Sequence, residues 1–231
     1  MTLVSTEWLN NNLSKVKIFD ASWHLPNSKR DAKKEYLEKH IPSAMFWDVN
    51  EHSDKNSSYP HMISDSNYWN KMLLSFGITN HDHIIVYDHS DLYSACRLWF
   101  VLRYFGHKNV KVVDGGLNAW LAENKPLTSK IPRPERSEFH SEIDTAQVCD
   151  INELKSLVGT GAQIWDTRSD EEWNGTESRG NARVGRIPGS IHFEWRHLLE
   201  GPPFRRFRPL SEIRTTLVEA GIDVDAPVVS Y

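Results

Sequence analysis

Four short patterns occur twice in this chain, in the same order and at almost the same separation. Lys17-Ile18-Phe19-Asp20 returns as Gln163-Ile164-Trp165-Asp166, and His40-Ile41-Pro42-Ser43-Ala44 as Arg186-Ile187-Pro188-Gly189-Ser190, each 146 residues further on. Ser75-Phe76-Gly77-Ile78 returns as Glu219-Ala220-Gly221-Ile222, and Ile84-Ile85-Val86-Tyr87 as Val228-Val229-Ser230-Tyr231, both 144 residues further on. Four anchors whose spacing drifts by two residues describe a duplicated domain, and any fold for the chain has to serve both copies.

Each copy follows one plan. A helix opens it, Thr6 to Leu13 in the first and Ile151 to Val158 in the second, where Asp150 and Glu153 are spaced as a capping box. A strand ending in Asp follows, then an Ile-Pro turn into another strand, a helix stopped by Gly77 or Gly221, and a short apolar run read as a buried strand. The first copy continues with a helix from Ser94 to Tyr104, a strand from Val110 to Val113, the turn Asp114-Gly115-Gly116 and a helix from Leu117 to Glu123. Alternating strands and helices predict an α/β fold with mostly parallel sheets flanked by helices. The expected domains are residues 1–125 and 148–231, joined by a linker at 126–147 that is rich in Pro, Ser and Lys. Counted against the first copy, the second lacks on the order of 40 residues after its last strand. The chain is therefore expected to be a fragment or the product of an early stop, with a marginal second domain.

Composition narrows the function. A net charge of -4 gives no electrostatic footprint for nucleic acid. No apolar run approaches the length of a membrane span, and the first residues lack the pattern of a secretory signal. Two cysteines, Cys96 and Cys149, in unlike contexts imply no disulfide framework. A cytoplasmic monomer is expected.

In open parallel sheets, ligands bind beyond the carboxyl ends of the strands, where a loop enters a helix N-terminus and offers backbone N–H groups to an anion or thiolate. Residues Asp88 to Ser94 hold that place in the first copy. An Asp there caps the helix with its own carboxylate and fills the cradle; general acid or base catalysis is the alternative. Cys96 falls within an apolar helical run, where a small buried thiol is the ordinary reading, and Cys149 has no evident base beside it.

These strands and turns resemble a known family. Asp20-Ala21-Ser22-Trp23-His24-Leu25-Pro26, Glu35-Tyr36-Leu37-Glu38-Lys39-His40-Ile41-Pro42 and Asp114-Gly115-Gly116-Leu117-Asn118-Ala119-Trp120 are similar to the first domain of two-domain rhodaneses, nearest the 3-mercaptopyruvate sulfurtransferase branch. Asp166-Thr167-Arg168-Ser169, Gly185-Arg186-Ile187-Pro188-Gly189 and Pro227-Val228-Val229-Ser230-Tyr231 resemble the second, catalytic domain. The resemblance implies transfer of sulfane sulfur from 3-mercaptopyruvate or thiosulfate to a thiol or cyanide, through a persulfide on a cysteine at the position after Tyr231. On that reading residues 1–231 by themselves are inactive, and neither a cofactor nor a metal is implied. By its spacing to Gly185-Arg186-Ile187-Pro188-Gly189, Arg179 matches a substrate-binding arginine of the branch. A second family arginine precedes an aromatic; here Glu172 precedes Trp173, which disfavours a carboxylate-bearing donor, and Arg183 is the substitute. Arg186 stands where the family usually has His, whereas the first copy keeps His40, read as a structural hydrogen-bonding residue. The run Arg205-Arg206-Phe207-Arg208 reads as a basic loop. The competing function is a rhodanese-like binding or regulatory module without a nucleophile. A phosphatase on a related fold would need a longer cysteine loop.

Overall fold

The computed structural model describes residues 2–90 and 94–231 and resolves into two compact units, residues 1–145 and 146–231. In the first unit the elements run β1 (Leu3–Val4), α1 (Thr6–Asn10), β2 (Lys17–Asp20), α2 (Ala32–Glu38), β3 (Ala44–Phe46), α3 (Val49–His52), α4 (Ser66–Ser75), β4 (Ile84–Tyr87), α5 (Ala95–Tyr104), β5 (Val110–Val113) and α6 (Gly116–Ala122). The second holds α7 (Ile151–Leu157), β6 (Gln163–Asp166), α8 (Asp170–Asn174), β7 (Ile191–His192), β8 (Leu199–Glu200), β9 (Arg206–Phe207), α9 (Leu210–Glu219) and β10 (Val228–Ser230).

The first unit is a five-stranded parallel sheet in the order β1-β5-β4-β2-β3. Side chains alternate along its central strand, so Ile84 and Val86 join one apolar layer and Ile85 and Tyr87 the other. The first layer packs Phe19, Trp47, Trp69, Leu98 and Phe105, and the second packs Leu9, Ile18, Tyr36, Leu117 and Trp120. A strand buried on both faces has no polar position to spare, hence the unbroken run Ile-Ile-Val-Tyr.

The second unit carries a three-stranded parallel sheet, β10-β6-β7, and an antiparallel pair, β8-β9. Its register repeats that of the first. Lys17 lies opposite Ile84 as Gln163 lies opposite Val228, and Phe19 opposite Met45 as Trp165 opposite Ile191. Both stop glycines take the left-handed conformation, Gly77 at φ 64° and Gly221 at φ 90°, and each is followed by the same return bond, Ile78 N–H to Leu73 O and Ile222 N–H to Leu217 O. The Asp150–Glu153 capping box forms on α7.

Three expectations change. The last strand is not buried like its first copy. Among the described residues β10 pairs with β6 alone, and Val228 is 41% exposed, whereas β4 is flanked by β2 and β5 and is buried throughout. Arg206 and Phe207 form a strand of the antiparallel pair and not an open basic loop. The segment expected as a linker lies, up to Thr145, along the first unit. Thr128 bridges His40, Ser137 Oγ donates to Ile78 O at 2.6 Å, the N–H groups of Glu142 and Asp144 donate to Phe105 O and Tyr104 O, and Phe139 is buried in the core. A polar composition described its outer face; its N–H groups, one hydroxyl and one aromatic fasten it to the sheet and helices.

Candidate active site

In open parallel sheets ligands bind beyond the carboxyl ends of the strands, and the candidate site is built there in each unit. In the second unit β6 delivers Asp166, whose side chain is fully buried, and the chain then turns into α8 through Ser169, an N-cap whose hydroxyl accepts the Glu172 N–H. Arg168 folds back onto Asp166 in a two-point contact, Nε to Oδ1 at 2.9 Å and Nη2 to Oδ2 at 2.5 Å. The same Nη2 donates to Gly185 O at 2.9 Å, which fixes the glycine turn ahead of Ile187. Burial pushes the Asp166 carboxyl up, but hydrogen bonds from Arg168 and Tyr231 outweigh it, and it stays below the ordinary carboxylate range.

Tyr231 closes the frame. Its hydroxyl accepts the Ile187 N–H at 3.0 Å and lies 3.1 Å from Ser190 Oγ, while its carbonyl accepts both the N–H and the hydroxyl of Thr167. The Arg168 guanidinium sits over the Tyr231 ring, 5.3 Å from the centroid. The first unit has the same clamp, with Tyr87 hydroxyl accepting from Ile41 N–H at 3.3 Å and Tyr87 O accepting from Ala21 N–H.

Trp173 on α8 stacks on His192 at 4.7 Å with an interplanar angle of 9°, and the Arg186 guanidinium lies over the Trp173 ring, 4.2 Å from its centroid. Arg186 thus has a cation–π partner at the position where the first unit has His40. There the imidazole is buried, stacked on Tyr36, with ring nitrogens 2.6 Å from Tyr36 O and 3.3 Å from Lys130 O. The loop from Thr176 to Arg186 carries the two arginines expected to meet substrate. Arg179 is 48% exposed, with Nε 3.7 Å from Glu172 Oε2 and a left-handed backbone at φ 51°. Arg183 is exposed, and among the described residues no hydrogen bond or ion pair holds it. Glu172 thus faces one of the two.

In the first unit the equivalent mouth is filled. Asp88 accepts the Ala95 N–H at 2.8 Å with Oδ2 and the Ser90 N–H at 3.4 Å with Oδ1, so its carboxylate occupies the start of α5 as a cap. Burial raises it to about 7. Gly116 packs so closely on Asp88 that a Cβ would come within 2.5 Å of its carbonyl oxygen. Asp91, Leu92 and Tyr93 of this loop lie outside the described residues. Neither thiol stands at a strand end. Cys96 is on α5, its pKa pushed up to about 12 by burial and by Asp88, and the Cys149 thiol is also raised, by desolvation and by Glu153 and Asp150.

Comparison with known proteins follows this geometry. A Rhodanese-like domain model matches residues 5–123, more than half of the chain. The chain belongs to the rhodanese family. Over 239 residues this rhodanese is 34% identical to the 3-mercaptopyruvate sulfurtransferase of Homo sapiens, an alignment that spans 99% of the chain and 80% of the relative. It is 33% identical over 240 residues to the thiosulfate sulfurtransferase of Bos taurus, with the same coverage. The crystal structure of SseA from Escherichia coli, which belongs to the 3-mercaptopyruvate sulfotransferases, superposes on it with a TM-score of 0.90 at 27% identity, covering all of this chain and 87% of SseA. No helix among the described residues is long and apolar enough to cross a membrane.

The repeat in the sequence aligns Asp166 with Asp20 and Tyr231 with Tyr87, but gives Arg168 and Trp173 no roles. The signal for Arg168 was its place two residues beyond a buried Asp, where the first copy has Ser22.

Proposed function

We propose that this rhodanese moves sulfane sulfur from 3-mercaptopyruvate or thiosulfate to a thiol or cyanide. On this reading the carrier is a cysteine that continues β10 past Tyr231, and Arg179 and Arg183 meet the donor's anionic end through charge-assisted hydrogen bonds. With thiosulfate, the thiolate attacks the sulfane sulfur, the S–S bond breaks and sulfite leaves with the electron pair. Cyanide then takes the outer sulfur of the persulfide as thiocyanate and returns the thiolate. One observation carries the reading: β10 ends at the Tyr231 clamp beside a loop that holds Arg183 unpaired, whereas the first unit has closed the matching place with Asp88.

By the same reasoning the polypeptide of residues 1–231 does not turn over by itself, because the thiols of Cys96 and Cys149 are both raised and neither follows a strand. The test is cyanide-dependent thiocyanate formation with each donor, by residues 1–231 and by a longer polypeptide that continues past Tyr231 with a cysteine next. Background rates from the first and turnover from the second are expected. Turnover by residues 1–231 that survives Cys96→Ser with Cys149→Ser would overturn the reading. In the active polypeptide Arg183→Ala is expected to raise KM for the donor about tenfold, roughly 1.4 kcal/mol. Glu172→Gln is expected to lower KM for 3-mercaptopyruvate more than for thiosulfate, since Glu172 competes with the donor carboxylate for Arg179.

A binding module without a nucleophile is the second reading, and the Asp88 cap favours it for the first unit. Saturable binding of thiosulfate by the longer polypeptide with no turnover would select it.

A further inference from the structure

Of the acids on α8, Glu172 is the one turned inward. Its side chain is 18% exposed against 58% for Asp170, and Glu171 is exposed as well. Ser169 fixes it: that hydroxyl accepts the Glu172 N–H at 3.3 Å and donates to Glu172 Oε2 at 3.4 Å, while Oε1 takes no hydrogen bond from any described residue. Arg179 faces Oε2 with Nε at 3.7 Å, beyond hydrogen-bond reach, so its guanidinium donors are open among the described residues, as are those of Arg183.

The field of Glu172 reaches the strand end too. Arg168 is raised above the ordinary arginine range, chiefly by its hydrogen bonds to Asp166, with the charges of Tyr231 and Glu172 adding to it, and its guanidinium lies over the Tyr231 ring. A plain anion that enters beside Arg179 gains nothing from this carboxylate, which repels it. An α-amino acid does gain. Its carboxylate meets a guanidinium and its ammonium, on the adjoining carbon, meets Glu172, so every charge has an opposite neighbour and charge-assisted hydrogen bonds run both ways. A fixed acid beside open arginines thus rejects one class of ligand and admits the other.

We propose that Glu172 is a specificity-determining residue that, with Arg179, selects a thiol α-amino acid as the sulfur acceptor, cysteine being the simplest. The proposal rests on the reading in which Arg179 and Arg183 meet the anionic ends of substrates. The acceptor's carboxylate pairs with Arg179, its ammonium pairs with Glu172, and its thiolate is left to attack the outer sulfur of the persulfide. The persulfide S–S bond breaks, its electron pair returns to the protein cysteine as a thiolate, and the acceptor leaves as a hydropersulfide, R–S–SH. A thiol acid without the ammonium meets Arg179 with Glu172 against it.

The test uses the longer polypeptide that continues past Tyr231 with a cysteine, with thiosulfate as donor, sulfite release as readout and either L-cysteine or 3-mercaptopropionate, which lacks the ammonium, as acceptor. The two thiols differ in acidity, so each is compared between the wild type and Glu172→Gln. The variant is expected to lower kcat/KM for L-cysteine at least about tenfold and not to lower it for 3-mercaptopropionate. L-Serine, which takes no sulfur, is expected to compete with cysteine at least about tenfold more weakly in Glu172→Gln than in the wild type. Glu219→Gln, an exposed acid of α9, is expected to leave the ratio of the two acceptors unchanged. Equal effects of Glu172→Gln on both acceptors, the mark of a structural role alone, would overturn the proposal, and turnover to cyanide would then leave the sulfur-transfer reading standing. A wild type that forms no thiocyanate from cyanide would overturn both.

Discussion

In the first unit the buried Asp20 is answered by neutral donors, the N–H and hydroxyl of Ser22, and burial raises its carboxyl to about 6. In the second unit the same position, Asp166, is answered by the Arg168 guanidinium and stays low. The backbone frame around them is common: Trp47 N–H donates to Asp20 O as Phe193 N–H donates to Asp166 O, and each strand-end tyrosine holds the turn before the next strand. The difference teaches how a duplicated scaffold divides its labour. One copy has capped its own mouth with Asp88, while the other has kept a fixed charge pair at its base and, on the loop from Thr176 to Arg186, one arginine, Arg183, that no described residue holds.

The comparison breaks first at Arg168. Arg168→Ala leaves a fully buried carboxylate without its partner and is expected to cost the second unit about 3–5 kcal/mol, against about 1 kcal/mol for Ser22→Ala in the first. Urea unfolding followed by tryptophan fluorescence reads both, and equal costs would show that the two aspartates are solvated alike. The stop glycines come next. Gly221→Ala pays the left-handed backbone alone, about 1–2 kcal/mol, since no atom of the described residues lies within 4 Å of the new Cβ. Gly77→Ala pays that and also meets Glu135 O at 2.4 Å, so it is expected to lower the thermal midpoint distinctly further.

The pH dependence is the finest test. Asp20 and Asp88 take up protons on folding, because their folded values of about 6 and about 7 lie above the ordinary 3.8. Their contribution is complete below that ordinary value and is lost as pH rises through 6 and 7. His107, buried and held at about 4, and Glu35, held at about 2 chiefly by the Arg30 hydrogen bond, act in the opposite sense but at lower pH. His52, His61, His83 and His89, held below 6.5 by burial, add stability as pH rises through 6.5, so the aspartate contribution is read as a difference: relative to Asp88→Asn, the wild type is expected to lose stability as pH rises through about 7. A difference that stays flat through about 7 would assign the titration to another group.

Much of this was legible in the letters, because a repeat aligns buried positions with buried positions. Asp20 with Asp166, Gly77 with Gly221 and Tyr87 with Tyr231 mark backbone requirements that recur wherever the fold does. Asp88 was readable as a cap from its place before a helix. What stayed hidden depended on neighbours far along the chain. Nothing in the stretch from Pro126 to Gln147 announces that Phe139 is core, since one aromatic among Pro, Ser and Lys has no periodicity to betray it. The exposure of β10 was legible in part: the apolar run alone reads as buried, but the repeat shows nothing in residues 148–231 that corresponds to β5, the strand that covers the other edge of β4. The cluster of Arg186, Trp173 and His192 joins residues that share no helical or strand spacing.

The strap from Pro126 to Thr145 bears on how this molecule can be dissected. A cut after Lys125 would strip Phe139 from its socket, free the carbonyls of Tyr104, Phe105 and Ile78 and take both Thr128 and Lys130 from His40. Such a piece would be sticky and short-lived in the test tube. A cut after Thr145 keeps the girdle fastened, and it is there that a soluble half should be sought.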